Sequence, residues 1–327
     1  MLESTKRFFA CLLALLLVDD AAPVRAGQTV PDDSAQAVAS IDSLGLTTLE
    51  SSKLKRALDE RDYLTAERLL LAQVERDPRS PGAARLLAVA GSVYFLNHEY
   101  LNAAIAWKKS EAITPLQPSL RFSLAMAYIQ IAHPDWARMV IESLATQFNS
   151  EALYPYWLGR LDYDSHQYEQ AIQHFQRAIK LAPGMARAYD NLGLCYYYQN
   201  ENALAVDNYK KAIELERDSA HPSVWPYLNL AITLQFLNRL TEAEENLRLA
   251  IRLNPDLAQA HFHLGIVLED SGRAEDAIIE LRHAAQLDAS YAEPHVAMAR
   301  IYHKLGREQA AQDEVQAYLR LSSHSTP

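Results

Sequence analysis

Eleven histidines are the first residues in this chain that invite a chemical reading. His261 and His263 stand two residues apart, so on a helix they point in different directions. His261 and His295 are equivalent positions in adjacent units, and no nearby cysteine or carboxylate is expected to complete a four-ligand set. No metal centre is expected from this pattern. Of the two cysteines, Cys11 lies in an apolar N-terminal run and Cys195 sits between Leu194 and Tyr196, where it reads as a small buried apolar residue. Nucleophile elbows, phosphate-cradling glycine loops and the His-Glu-x-x-His pattern are all missing. No cofactor and no catalytic residue is therefore expected. What the chain does offer is aromatic and amide surface: Phe122, Tyr156, Trp157, Arg160, Asn191, Tyr197, Tyr198, Trp225, Asn229, Phe236 and Phe262. Rings and amides of this kind bind by stacking, apolar contact and backbone hydrogen bonds.

The elements that would position these residues follow from a 34-residue beat. Residues Ala152 to Met185 and Ala186 to Ser219 align so that Leu158-Gly159 meets Leu192-Gly193, Ala171 meets Ala205, and Phe175 meets Tyr209. Equivalent positions carry Ala66, Ala103, Ala137, Ala171, Ala205, Ala243, Ala277 and Ala311. A fixed period of this length signals a stacked repeat array. Each unit reads as two helices: the first carries apolar residues at helical spacing, as in Tyr189, Leu192, Gly193 and Tyr196, and a short polar turn such as Ser271-Gly272-Arg273 follows. The second helix carries the alanine and closes in several units on proline: Pro78, Pro115, Pro183 and Pro255. The expected units are 84–117, 118–151, 152–185 and 186–219, then, after the insertion 220–223, 224–257, 258–291 and 292–325, with a degenerate unit at 47–80.

Leu-Gly, Tyr, Ala, Phe/Tyr, Ala and Pro at these offsets resemble the tetratricopeptide repeat, over about residues 47–325. The resemblance implies an all-α, right-handed superhelical solenoid of helix pairs, with an inner wall built from the first helices. Members of that family bind peptides, helices or whole proteins on that wall and rarely catalyse anything through the repeats. The aromatic, amide and Arg160 positions above then become partner-binding candidates. Asn191 and Asn229 are also similar to asparagines of the repeat domain of O-linked N-acetylglucosamine transferases, which grip peptide backbone. The equivalents Val89, Ser123, Trp157, His263 and Ala297 depart from that pattern, and no catalytic domain follows, so transferase activity is not implied.

Three departures bear on the site. Asp162 occupies a slot filled elsewhere by Tyr94, Tyr128, Tyr196 and Tyr302, and a lone buried carboxylate is costly, so rotation of the helix to present Tyr163 is expected. The insertion 220–223 should loosen or bend the stack. The last helix either caps the array with Gln309, Gln312, Asp313, Gln316 and Arg320 or docks a partner or a second copy as a homodimer.

Charge and the N-terminus narrow the function class. A formal charge of −10 without a basic stripe argues against nucleic acid. Lys6-Arg7, the apolar run from Phe8 to Val18, and Val24-Arg25-Ala26 look like a secretory signal over 1–26, either cleaved or kept as an anchor, followed by a flexible linker over 27–46. The expectation is an exported, non-enzymatic scaffold in a bacterial-type envelope, periplasmic or secreted. The rival is a carbohydrate or small-ligand receptor that uses the same rings.

Overall fold

The computed structural model describes residues 44–323. The signal segment, Cys11 and most of the linker lie outside the described residues. Of that linker only 44–46 are described, and Leu44 is 3% exposed within the first core.

The described residues form sixteen α-helices and no strand. They belong to two compact units divided after Ser165. In the first unit, α1 (Thr48–Asp59), α2 (Tyr63–Val74), α3 (Pro81–Leu96), α4 (Tyr100–Glu111), α5 (Pro118–Gln130), α6 (Pro134–Gln147) and α7 (Leu153–Asp164) each pack on the next. In the second, the order is α8 (Tyr168–Leu181), α9 (Ala186–Tyr198), α10 (Asn202–Glu216), α11 (Trp225–Phe236), α12 (Leu240–Leu253), α13 (Ala258–Asp270), α14 (Ala274–Leu287), α15 (Glu293–Lys304) and α16 (Glu308–Ser323). Each helix again packs on its sequence neighbour, the arrangement of a helical solenoid. No helix among the described residues is long and apolar enough to cross a membrane.

The helices start where the sequence supplies caps and stop where it supplies a turn. Thr47 and Glu50 form a reciprocal capping box on α1, Asp62 caps α2, and Ser80 with Pro81 opens α3, ahead of residue 84. Between paired helices, Arg61, His98, Ala132, His166, Asn200, Asn238, Gly272 and Gly306 all take a left-handed φ of 57° to 77°. Within each unit the following N–H reaches back to the carbonyl five residues earlier, as in Glu99 N–H to Tyr94 O at 2.9 Å. This 6→1 bond ends the first helix and reverses the chain.

A seam of small residues holds the helix pairs within each unit. Seven of the eight repeated alanines are fully buried, and Ala311, in the last helix, is 7% exposed. Opposite them, an added Cβ would lie 2.5 Å from the Trp107 ring at Gly91, 2.6 Å from the Tyr209 ring at Gly193, and 2.6 Å from Leu281 Cγ at Gly265. Trp107, Tyr209 and Leu281 stand four residues after Ala103, Ala205 and Ala277, so the alanine admits the backbone and the larger side chain fills the space beside it. Trp107 also donates its indole N–H to Ala88 O at 3.0 Å, and Ser110 Oγ–H donates to Ala84 O at 2.7 Å. Both polar groups are thereby satisfied inside the seam.

Asp162 corrects the expected rotation. It stays in the tyrosine slot, 1% exposed, and Arg138 Nη2 of α6 bonds its Oδ1 at 2.7 Å. The slot is built for a polar tip: Tyr94 O–H donates to Glu67 at 2.7 Å, and Tyr302 accepts from Arg282 at 3.1 Å. In each case the partner comes from the preceding second helix. The insertion 220–223 forms a loop in which Ser223 N–H donates to Glu216 at 2.5 Å. The core runs on past it, with Val206 and Tyr209 of α10 in one cluster with Leu228 and Ala231 of α11.

Two stability predictions follow from these contacts. Gly193→Ala should lose up to about 2 kcal/mol in urea unfolding, because overpacking costs about 1–3 kcal/mol against a helix-propensity gain of about 1. A gain near 1 kcal/mol would refute the close approach. Arg138→Met should cost about 3 kcal/mol by removing the ion-pair partner of a buried carboxylate. Adding Asp162→Tyr should recover most of that loss, and no recovery would mean that the slot does not accept tyrosine.

Candidate functional site

In the first unit the sequence-predicted residues gather around α7. Phe122 and Tyr156 are buried and pack rather than present themselves, with the Phe122 ring edge-on to Trp157 at 6.1 Å. Trp157 and Arg160 stand one turn apart, and the guanidinium lies 6.0 Å from the indole centroid. Trp157 Nε1 and Arg160 Nε are both buried without a hydrogen-bond partner among the described residues. Burial works against the Arg160 charge, yet Tyr156, Asp164 and Tyr163 hold its pKa above the ordinary value. An unmatched buried donor costs about 1–3 kcal/mol. Both nitrogens are closed to solvent, so they are unmatched donors packed beneath the surface of α7.

In the second unit an unbroken run of rings crosses the turn ends of α8, α9 and α11. His166 lies parallel to Tyr168 at 6.0 Å, and Tyr168 stacks on Tyr198 at 5.1 Å with 3° between planes. Tyr198 meets Tyr197 edge-on at 5.6 Å, and Tyr197 meets Phe236 edge-on at 6.4 Å. Tyr198 is 51% exposed and Phe236 65%. Tyr197, Tyr198 and Phe236 are among the sequence-predicted residues and His166 and Tyr168 are not, because the predicted wall is made of first helices whereas Tyr168 opens a second helix just after the turn. Trp225 and Phe262 are half-buried against the second core, and Phe262 lies 5.2 Å from Tyr291.

The two asparagines have partners within the protein. Asn191 Nδ2–H donates to Arg187 O at 2.8 Å, and Asn229 Nδ2–H donates to Asp190 Oδ1 at 3.0 Å. Each thus has an amide N–H engaged by its own chain rather than turned to a ligand. The charges toward the C-terminus also close on one another. Arg300 grips Glu269 through two bonds of 3.1 and 2.6 Å, Lys304 Nζ adds a third at 2.8 Å, and Gln235 donates to Asp270 at 2.8 Å.

Two further features involve residues outside the sequence-predicted set. In the first unit Trp136, 49% exposed, stacks on His133 at 4.1 Å and meets Tyr128 edge-on at 5.3 Å. With Leu101, Ile105, Lys108 and Lys109 it lines a shallow groove of about 400 Å³ on second helices. In the second unit, Glu280 and His283 of α14 meet His261 of α13, so a carboxylate does stand beside that histidine. The two residues are distant from His261 in sequence and are joined to it only by helix pairing.

Residues 151–218 and 228–292 each match the tetratricopeptide repeat family. Among solved structures, PilW, described as a widely conserved type IV pilus biogenesis factor, aligns at 19% identity with a TM-score of 0.58, covering 64% of this chain and 94% of that one. YrrB, described as a TPR protein with an unusual peptide-binding site, aligns at 18% identity with a TM-score of 0.46 over 57% of this chain and 93% of its own. MamA aligns at 20% identity with a TM-score of 0.46, over 51% and 95%. No curated protein matches the chain. At these identities the likeness to PilW speaks for the fold.

The Glu269 cluster predicts a pH dependence. Burial alone would raise the Glu269 pKa, but bonds from Arg300 and Lys304 hold it below the ordinary carboxylate value. A depressed folded pKa stabilises the fold above the unfolded value, near about 4.3, and that stabilisation is lost as pH falls through the folded one. The gap in unfolding free energy between wild type and Glu269→Gln should be full at pH 7 and shrink below about pH 4. A gap unchanged at pH 3 would show that the carboxylate's charge contributes nothing.

Proposed function

This chain is a tetratricopeptide-repeat protein, and from that premise we propose that it is a non-enzymatic scaffold that holds a peptide or helix of a partner protein against its aromatic surface. The observation that carries the reading is the ring run from Tyr168 through Tyr198 and Tyr197 to Phe236. Interface cores favour aromatic side chains and exclude charge. Rings half in water add little to the fold beneath them, so their value lies in what covers them. In the first unit, Trp157 and Arg160 form a separate aromatic and cationic contact.

The contact set we propose comprises Trp157 and Arg160, with Phe122 and Tyr156 behind them, and separately Tyr197, Tyr198, Phe236, Trp225 and Phe262. Asn191 and Asn229 belong to the same proposal. Repeat units at the boundaries read from the sequence are part of the same proposal. The leader-like N-terminus supports export to a bacterial-type envelope, periplasmic or secreted. Val315, Tyr318 and Leu319, exposed on α16, support self-association through the last repeat.

The experiment is a photoreactive residue placed at Tyr198 in the living cell, followed by mass spectrometry of its adducts. The scaffold reading predicts one dominant protein adduct. Glycan adducts alone would favour the carbohydrate-receptor reading instead. No adduct would remove the ring run from the site.

A further inference from the structure

We propose that His261, Glu280 and His283 form a zinc-type divalent metal site in the second unit. Glu280 and His283 stand three residues apart on α14 and so share one face of that helix. One donor atom from each of the three residues lies within 4.8 Å of the others. Zinc bonds to imidazole and carboxylate at about 2.0–2.2 Å, so three ligands on one ion stand roughly 3.3–3.5 Å apart. His283 is exposed and lies at the open side of the cluster, so a rotamer adjustment there can close the remaining gap. Two imidazoles and one carboxylate with an open fourth position are an established zinc ligand set.

His261 is already arranged as a ligand. It is buried, and its Nε2 lies 3.0 Å from the carbonyl oxygen of Pro255, which can only accept, so Nε2 carries the hydrogen. That leaves Nδ1 facing Glu280 Oε2 at 2.7 Å, with the His283 ring 4.2 Å from its own. Metal-bound histidines are oriented in this way, the second ring nitrogen donating to a carbonyl or carboxylate. A neutral Nδ1 lone pair and a carboxylate oxygen repel at 2.7 Å, so a cation must sit between them. A proton meets that demand, and so does a metal ion, which also recruits His283. Asp256 adds negative charge near His261, which favours the higher charge of the metal.

The next repeat supplies an internal control. His295 Nδ1 and Glu314 Oε2 form the same pair at 2.6 Å, 34 residues further on. There Ala317 holds the place of His283, so the third ligand is lacking. The pair alone is a proton-bridged structural contact; the triad is the site. The local sequence predicts no metal here because the ligands come from two helices, with Glu280 19 residues from His261.

The test is calorimetric titration of the full metal-free chain with zinc chloride in a non-coordinating buffer at neutral pH, with melting temperature followed in parallel. The expected result is one zinc ion per chain and a rise in melting temperature on binding. His283→Ala and Glu280→Gln should each weaken binding at least about tenfold, while Glu314→Gln leaves it unchanged. Because His283 is exposed, its variant should melt with wild type when no metal is present, which separates lost binding from lost fold. Ala317→His should add a second zinc ion. Absence of saturable binding would overturn the proposal and leave a proton in the cluster. Binding unaltered by His283→Ala, or lost equally on Glu314→Gln, would place the metal on other surface histidines and overturn it as well.

Discussion

The close approach of two backbones across a seam of glycine and alanine is the constraint on which the rest of the structure depends. Gly91, Gly193 and Gly265 have no room for a methyl group, and the alanines that face this seam from the second helices are buried in every repeat. The choices on the two sides are coupled. Glycine faces the two bulkiest fillers, Trp107 and Tyr209, while Ala125 and Ala231 hold the same positions in repeats filled by Ile141 and Leu247. Gly265 with Leu281 is the exception. The summed volume is thus held roughly constant while its division varies, as close packing requires. The left-handed turn residue then reverses the chain at the same place each time, which fixes where both helices end.

What is left for function is what the seam does not consume. First helices give their small and branched residues to the interior and carry rings out at their C-terminal ends, where Tyr198 and Phe236 stand. Second helices give the seam their alanine and large filler, and their opening residues, such as Tyr168, meet those rings. The seam also places residues 19 apart side by side across a helix pair, which generates both the His261–Glu280 and the His295–Glu314 contacts. Buried polar groups are admitted where a neighbouring helix answers them, as Arg138 answers Asp162.

The periodic part of this was legible in the chain. The recurring alanine and the Leu-Gly pairs identify the helix pairs because both report packing, which repeats. The particular part was less legible, because it depends on pairing between helices rather than on period. Asp162 read as a misfit because Arg138 lies 24 residues away. Asn191 and Asn229 were legible as amides, but the N–H bonds they give to Arg187 O and Asp190 were not. His166 and Tyr168 were not legible because they join the rings only through the turn into a second helix, and the carboxylate beside His261 was not because it stands on the facing helix. Trp157 and Arg160 were visible as residue types, but their unmatched donors were not.

The central claim is that the exposed rings serve a partner and not the fold. The direct measurement replaces Tyr198 and Phe236 by serine together and compares two quantities with wild type: the free energy of unfolding, and recovery of the partner by affinity capture under identical conditions. The account predicts a change in stability within about 0.5 kcal/mol, as for surface substitutions, together with loss of the partner. A stability loss of several kcal/mol with the partner still recovered would contradict it, and would assign the rings to packing.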